Sequence, residues 1–226
     1  MREVTLENGE YYHIFNRGVD KRQIVMDLND TERFLLSLHE FNTTVPIGSL
    51  YQHSFRKSKP TPAELSNSVT KLVEITAYCL NPNHYHFILH QIVNGGISKF
   101  MHKLGLGYTR YFNERYKRSG SLFQGKFKAV HIETSEQLLH VSAYVNLNNR
   151  VHHKFSGRTS QLVCSSWDEY RDRTTPTLCE KGVVLGQFRS RSDYARFAKE
   201  TIKEIAKRRE KIEDDDITLA GTFEEE

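Results

Sequence analysis

The pattern of hydrophobic and polar positions predicts four β-strands, of which the first and fourth show a period of two. These segments are residues 11–15, 73–80, 84–92 and 122–132. The first is rich in aromatic side chains and ends at Asn16-Arg17-Gly18. The second and third are joined by Asn81-Pro82-Asn83, a typical turn sequence. The two middle strands are therefore expected to form a hairpin.

Apolar residues at intervals of three and four predict helices between and after these strands. A first helix is expected after Asp30, a suitable N-cap, and carries Phe34, Leu35, Leu38 and Phe41. A second runs from Ile97 to Phe112, is weakened by Gly105 and Gly107, and stops at Ser119-Gly120. Thr134 and Gln137 form a capping box for a third helix reaching about Asn149. A fourth, basic helix is predicted over residues 193–211.

The order strand, helix, strand, strand, helix, strand, helix predicts an α+β fold. We expect a ferredoxin-like or RRM-like antiparallel sheet with helices packed on one face, plus a C-terminal helical extension. Residues 1–155 form the main domain, with a loop insertion at 43–70 that contains three prolines. Residues 156–212 form the extension with the basic helix, and the acidic tail 213–226 is expected to be disordered.

The small net charge of the chain is the sum of a basic body and an acidic tail. The 226 residues carry a formal net charge of only +4. Residues 213–226 contain seven acidic and no basic side chains, so residues 1–212 carry +11. Residues 97–130 hold eight basic side chains against one acidic, together with several tyrosines and phenylalanines. A basic segment that also carries aromatic rings is typical of nucleic-acid binding, although several of these rings must belong to the core.

Other classes are excluded or disfavoured. No apolar stretch approaches the roughly 18–20 residues that span a bilayer, and no signal-peptide core follows Met1. We therefore expect a cytoplasmic protein with no membrane partner. Cys79, Cys164 and Cys179 are spaced too irregularly for a disulfide framework or a zinc ribbon.

His84 and His86 are the first chemical candidates. In a strand they point to the same side, with Cβ atoms about 7 Å apart. Two imidazoles at that spacing can bind one divalent ion. The alternative is a pair of histidines on a half-exposed sheet face. The tight turn before them and the large apolar residues between and after them favour the metal site.

Tyr144 and Asn148 are the second candidates. They lie four residues apart on the predicted third helix and so share a face, while Leu138, Val141 and Val145 form the neighbouring apolar stripe that would dock it. Tyr144 could present its hydroxyl to a phosphodiester, and Asn148 could offer an amide oxygen to the same metal. Either residue alone is a weak signal, since most of the eleven tyrosines are packing residues.

These two features resemble the HUH single-tyrosine transposases, and most of all the REP-associated tyrosine transposase branch of the IS200-like transposases. The resemblance runs from about Tyr11 to about Glu204. It includes five blocks in order: Asn16-Arg17-Gly18, Asn81 to His86, Tyr108 to Asn113, Ser119 to Lys128, and Ser165 to Tyr170.

The resemblance implies a function for residues 1–155 as the catalytic domain. His84 and His86 would hold Mg²⁺ or Mn²⁺, Asn148 would complete the metal site, and Tyr144 would be the nucleophile. The implied reaction is cleavage of single-stranded DNA near a hairpin through a 5′-phosphotyrosine, followed by strand transfer. The DNA-binding candidates are Asn16, Arg17, Arg110, Arg115, Lys117, Arg118, Lys126 and Lys128.

Departures and alternatives stay open at this point. The family commonly has Met where this chain has Asn81, and Pro where it has Asn149. A rolling-circle or relaxase-type HUH nuclease would share the histidine pair, but the block from Leu122 to Phe127 argues against it. A catalytically silent hairpin-binding or RNA-binding protein of RRM-like fold is the alternative from another class. Tyr144 could complete the site of its own chain or that of a homodimer partner.

Overall fold

The computed structural model describes residues 4–45, 70–151, 161–172 and 178–209. The acidic tail, most of the predicted insertion and the predicted domain boundary after residue 155 lie outside these ranges. Within the described ranges, none of the helices is long and apolar enough to cross a membrane.

A five-stranded sheet forms the centre of the protein. Its strands are β1 (Tyr11–Arg17), β2 (Val73–Leu80), β3 (His84–Gln91), β4 (Lys128–Ile132) and β5 (Cys164–Ser165). They lie in the order β4-β1-β3-β2-β5, and every neighbouring pair is antiparallel. The first four strands have the arrangement expected of a ferredoxin-like sheet, which confirms the predicted fold class. The short β5 was not predicted, and it extends this sheet from the C-terminal segment.

Seven α-helices accompany the sheet in the described residues, together with a 3₁₀ turn at Val19–Lys21. The three helices of the main domain are α1 (Leu28–Glu40), α2 (Gly96–Arg115) and α3 (Ser135–Asn146). They are followed by α4 (Asn148–Val151), α5 (Trp167–Arg171), α6 (Gly182–Leu185) and α7 (Arg191–Arg209).

Helices cover both faces of the sheet, so the prediction of helices on one face was wrong. Tyr85, Phe87 and Leu89 of β3 belong to a core with α1 and α2. On the opposite face, Ile88 belongs to a second core with α3 and α7. The physical reason lies in β3, where all but one residue is buried, so each face needs its own apolar cover. His84 and His86 share the α3 face with Ile88 because side chains alternate along a strand.

The C-terminal segment is tied to the end of α3 by buried hydrogen bonds. Asn146 donates its amide to the Tyr194 hydroxyl on α7 at 2.7 Å. The Asn146 Oδ1 accepts from the Ser166 hydroxyl at 2.6 Å. Ser166 in turn accepts from the Tyr78 backbone N–H of β2 at 2.9 Å. One asparagine thus joins α3 to both α7 and the sheet.

Three predicted element boundaries need correction. Asp27, not Asp30, caps α1, because its carboxylate accepts the Asp30 backbone N–H. Helix α3 begins at the predicted cap, Thr134, but ends at Asn146, and α4 starts afresh at Asn148. The fourth strand starts at Lys128 rather than Leu122, since Phe123 forms only an isolated bridge with Gly18 and Gly125 has a positive φ.

Candidate active site

The two histidines of β3 lie together on the face that α3 covers. Their rings are perpendicular, with centroids 5.2 Å apart. In the sheet register, Arg17 of β1 lies opposite His84, and Phe15 lies opposite His86. The predicted common orientation of the pair is therefore present in the structure, and both side chains are buried.

His84 is oriented by its neighbours on each side of the ring. Its Nδ1 lies 2.6 Å from the Asn83 Oδ1, and its Nε2 lies 3.2 Å from the Asn148 Oδ1. Because Asn83 offers an oxygen acceptor, the Nδ1 carries the proton and the Nε2 presents its lone pair. The Nε2 is the nitrogen suited to bind a metal, and it faces the asparagine expected to share that metal.

Tyr144 lies beside the second histidine. Its ring stands edge-on to His86, with centroids 5.4 Å apart, and edge-on to His13 at 5.9 Å. The chain breaks its helix at Leu147, yet Asn148 still turns toward His84 and is fully buried. The structure therefore brings Tyr144, Asn148 and both histidines into one cluster.

His13 is a member of this cluster that the sequence reasoning missed. Its Nε2 lies 2.9 Å from the His86 Nδ1, and the two rings are stacked with centroids 5.1 Å apart. Burial lowers the pKa of His13 to about 3, so the ring is neutral at pH 7. A neutral His13 can accept the His86 Nδ1 proton, which leaves the His86 Nε2 as the ligating nitrogen. The available signal was the β1 alternation, which places His13 on the side of Tyr11 and Phe15.

The residues present fit a divalent ion of the expected kind. Imidazole nitrogens and amide oxygens are ligands that Mn²⁺ accepts, and Mg²⁺ accepts the oxygens. Among the described residues, no group of three or more His, Cys, Asp or Glu side chains could hold a metal. The expected set contains only two imidazoles and an amide, and a further amide, that of Asn81, enters the same cluster. The Asn81 Oδ1 is buried with no hydrogen-bond partner in the described part of the chain, as an unused ligand atom would be.

The predicted DNA-binding residues fall into two groups, and the first borders the cluster. Lys128 pairs in register with Phe15, and its Nζ lies 5.9 Å from the centroid of that ring. Phe15 stacks on His86 at 5.7 Å. Arg17 faces the same side of the sheet as His84. Asn16 and Lys126 lie nearby, where the Asn16 amide donates to the Gly125 carbonyl.

The second group lies with α2 on the opposite face of the sheet. Arg115 is held in ion pairs with Asp27 at 2.6 Å and with the buried Asp30 at 3.1 Å. Arg118 donates to the Asn113 side chain at 2.5 Å and to the Ser121 carbonyl at 3.0 Å. Arg110 and Lys117 are exposed. Arg115 and Arg118 thus have partners within the protein, whereas Arg110 and Lys117 point to solvent.

The comparisons with known proteins bear on this cluster directly. Residues 63–148 match the family model described as "Transposase IS200 like". Over these residues the chain is similar to the IS200-like transposases. The matched segment contains all four expected site residues: His84, His86, Tyr144 and Asn148. It does not include His13. The family resemblance and the enzyme class, a DNA transposase, are confirmed.

A solved structure supports the fold over a larger part of the chain. It is described as "Structure of the REP associates tyrosine transposase bound to a REP hairpin". The likeness has a TM-score of 0.50 at 13% sequence identity and covers 79% of this chain and 90% of the other. A likeness at this identity establishes a shared fold. A search of curated protein sequences gave no match.

Proposed function

We propose that this transposase is a metal-dependent nickase and strand transferase that cleaves single-stranded DNA near hairpins through a 5′-phosphotyrosine. The observation that carries the proposal is that the two histidines of β3 lie in contact with Tyr144 and Asn148. Tyr144 contacts His86, and Asn148 contacts His84. A nucleophile and a set of metal ligands in one buried cluster are what such a reaction requires.

The chemistry is a transesterification. The Tyr144 oxygen attacks the phosphorus and loses its proton, while the bond from phosphorus to the 3′ oxygen breaks and that oxygen takes up a proton. The products are a 5′-phosphotyrosine and a free 3′-hydroxyl. The same steps in reverse rejoin strands, so the reaction needs no nucleotide cofactor.

The site residues have different roles in this reaction. His84, His86 and Asn148 would hold Mg²⁺ or Mn²⁺, which when bound neutralises charge on the phosphate oxygens. His13 keeps His86 in the tautomer that offers its Nε2. Phe15 and α3 exclude water from the base of the cluster, since both are packed against the histidines.

Two of the predicted basic residues would hold the strand beside the site. Arg17 and Lys128 border the histidine pair on β1 and β4. The Arg17 Nε is buried with no hydrogen-bond partner in the described ranges, so a phosphate oxygen would satisfy it. The structural neighbour is described as bound to a REP hairpin, which supports hairpin DNA as the ligand class. Arg110 and Lys117, which are exposed on the α2 side of the sheet, are suited to contact the hairpin backbone.

The test is formation of a covalent adduct. The protein is incubated with Mn²⁺ and end-labelled single-stranded oligonucleotides that carry hairpins, and the adduct is separated on a denaturing gel. Tyr144→Phe should abolish the adduct and retain hairpin binding. Tyr11→Phe is the matched control, because Tyr11 lies on the same face of the sheet but stacks on His90. It should form the adduct normally.

Three outcomes would contradict the proposal or part of it. An adduct formed by Tyr144→Phe would show that another residue is the nucleophile. Wild-type protein that binds hairpins but never forms an adduct would instead be a silent hairpin-binding protein. Alanine at His84 or His86 should abolish the adduct, and an unchanged rate would refute the metal assignment.

A further inference from the structure

Asn81 occupies a position between the ligands of the proposed metal site. It follows β2 directly, and its backbone N–H donates to the His84 carbonyl at 2.8 Å, which closes the β2–β3 turn. Its side chain is fully buried. The Nδ2 donates to the Asn148 Oδ1 at 2.7 Å and lies 3.0 Å from the His84 Nε2. One amide therefore touches both proposed ligands on this side of the cluster.

The three atoms form a compact triangle. Its sides are 2.7, 3.0 and 3.2 Å. Adjacent ligands of a six-coordinate ion, each about 2.1 Å from it, lie about 3 Å apart. The spacing of the three side chains is thus the spacing of neighbouring ligands around one ion.

The amino end of the Asn81 amide faces both neighbours. The His84 Nε2 and the Asn148 Oδ1 are both acceptors, and an amino group that donates to both satisfies them. The Asn81 Oδ1, in contrast, is buried with no hydrogen-bond partner among the described residues. Turning the amide by about 180° exchanges the two ends without changing the side chain's volume.

We infer that Asn81 is a ligand of the proposed metal ion, with its amide turned so that the Oδ1 replaces the Nδ2 between His84 and Asn148. The inference rests on the proposed function, since it concerns the same ion. The site then offers two imidazole nitrogens and two amide oxygens, all uncharged. Such a set favours Mn²⁺ over Mg²⁺, because Mg²⁺ gives up its bound water reluctantly and prefers charged oxygen ligands.

The experiment measures Mn²⁺ binding by calorimetry and by electron paramagnetic resonance, without DNA. Asn81→Leu, which keeps the branched shape but has no ligand atom, should weaken Mn²⁺ affinity about tenfold or more. Asn81→Asp should bind Mn²⁺ at least as tightly as the wild type, since a carboxylate is a ligand but cannot donate. Asn94→Leu, the same change at an exposed site beyond the other end of β3, should leave the affinity unchanged.

The Asn81→Asp variant shows whether residue 81 acts as a metal ligand or as a hydrogen-bond donor. If Asn81 served only to donate to its two neighbours, Asn81→Asp would bind Mn²⁺ more weakly than the wild type, which would overturn the inference. Asn81→Leu binding as tightly as the wild type would overturn it as well. The rise in melting temperature on adding Mn²⁺ is a second readout, expected to be largest for Asn81→Asp and smallest for Asn81→Leu.

The failure of this inference can be told from failure of the proposed function. If His84→Ala abolishes Mn²⁺ binding while Asn81→Leu retains it, the proposed metal site is supported and the role of Asn81 as a ligand is refuted. If the wild type binds no Mn²⁺, both the metal assignment and the role of Asn81 fall. The Tyr144→Phe adduct assay tests the identity of the nucleophile and not the role of Asn81.

Discussion

Replacing His13 by Phe should weaken Mn²⁺ binding by a factor that the structure allows us to work out. The His13 Nε2 lies 2.9 Å from the His86 Nδ1 in a buried position, where a neutral His13 can accept the Nδ1 proton of His86. A metal-bound His86 must carry its proton on Nδ1, whereas a metal-free His86 can carry it on Nε2. Loss of the acceptor therefore penalises mainly the metal-bound state.

The penalty is that of a buried donor left without a partner, about 1–3 kcal/mol. At 1.4 kcal/mol for each factor of ten, it corresponds to about a 5- to 150-fold loss of affinity. Phe retains the ring that stacks on His86, so packing is largely preserved. Calorimetric titration with Mn²⁺ gives the affinity directly.

Two further variants make this reasoning refutable. His90→Phe changes another histidine on the same face, one that stacks on Tyr11 and pairs with Glu74, and it should bind Mn²⁺ normally. In a His86→Ala background, His13→Phe should have no additional effect, because its partner is gone. An unchanged affinity for His13→Phe, or a full effect without His86, would show that His13 does not act through His86.

Other predictions concern stability and DNA binding. Asp30→Ala removes a fully buried carboxylate that accepts from Arg115, Tyr111 and Tyr116, and it should lower the free energy of unfolding by about 3–5 kcal/mol in urea titrations. An effect below 1 kcal/mol would refute this. Lys128→Ala should weaken hairpin binding and reduce the slope of log affinity against log salt by about one, whereas Lys99→Ala, on the distant start of α2, should not.

Some of the fold could be predicted because local signals and tertiary packing agree. The β2–β3 hairpin has a strong turn sequence between two apolar segments, and β2 lies where it was expected. The second layer of helices could not be predicted in the same way. An apolar strand that is buried on both faces does not show which helix covers which face. The N-cap of α1 could not be predicted for a similar reason. Asp27 and Asp30 are equally suitable N-cap residues by type, and only the ion pair between Asp30 and Arg115 shows that Asp30 has a different role.

The candidate site was predictable where its residues lie close in sequence. Strand periodicity places His84 and His86 on one face, and helical periodicity predicted that Tyr144 and Asn148 lie together. The structure brings all four residues together, although the helix of Tyr144 ends at Asn146 before Asn148. His13 and Asn81 reach the cluster from a separate strand and a turn. Their roles depend on atoms that meet only in the folded protein, such as the His13 Nε2 and the His86 Nδ1. In the sequence Asn81 is only a departure from the family pattern, and its contacts in the fold give it significance.

The hydrogen bonds of Asn146 set a lower limit on the size of any useful fragment. This residue lies two positions after Tyr144 and depends on Ser166 and Tyr194 for its partners. A version shortened after residue 155 would leave the Asn146 amide without those partners. It would also expose the apolar side of α3 that α7 covers. A shortened version therefore has to keep Ser166 and the Tyr194 helix, because they hold the tyrosine helix in place.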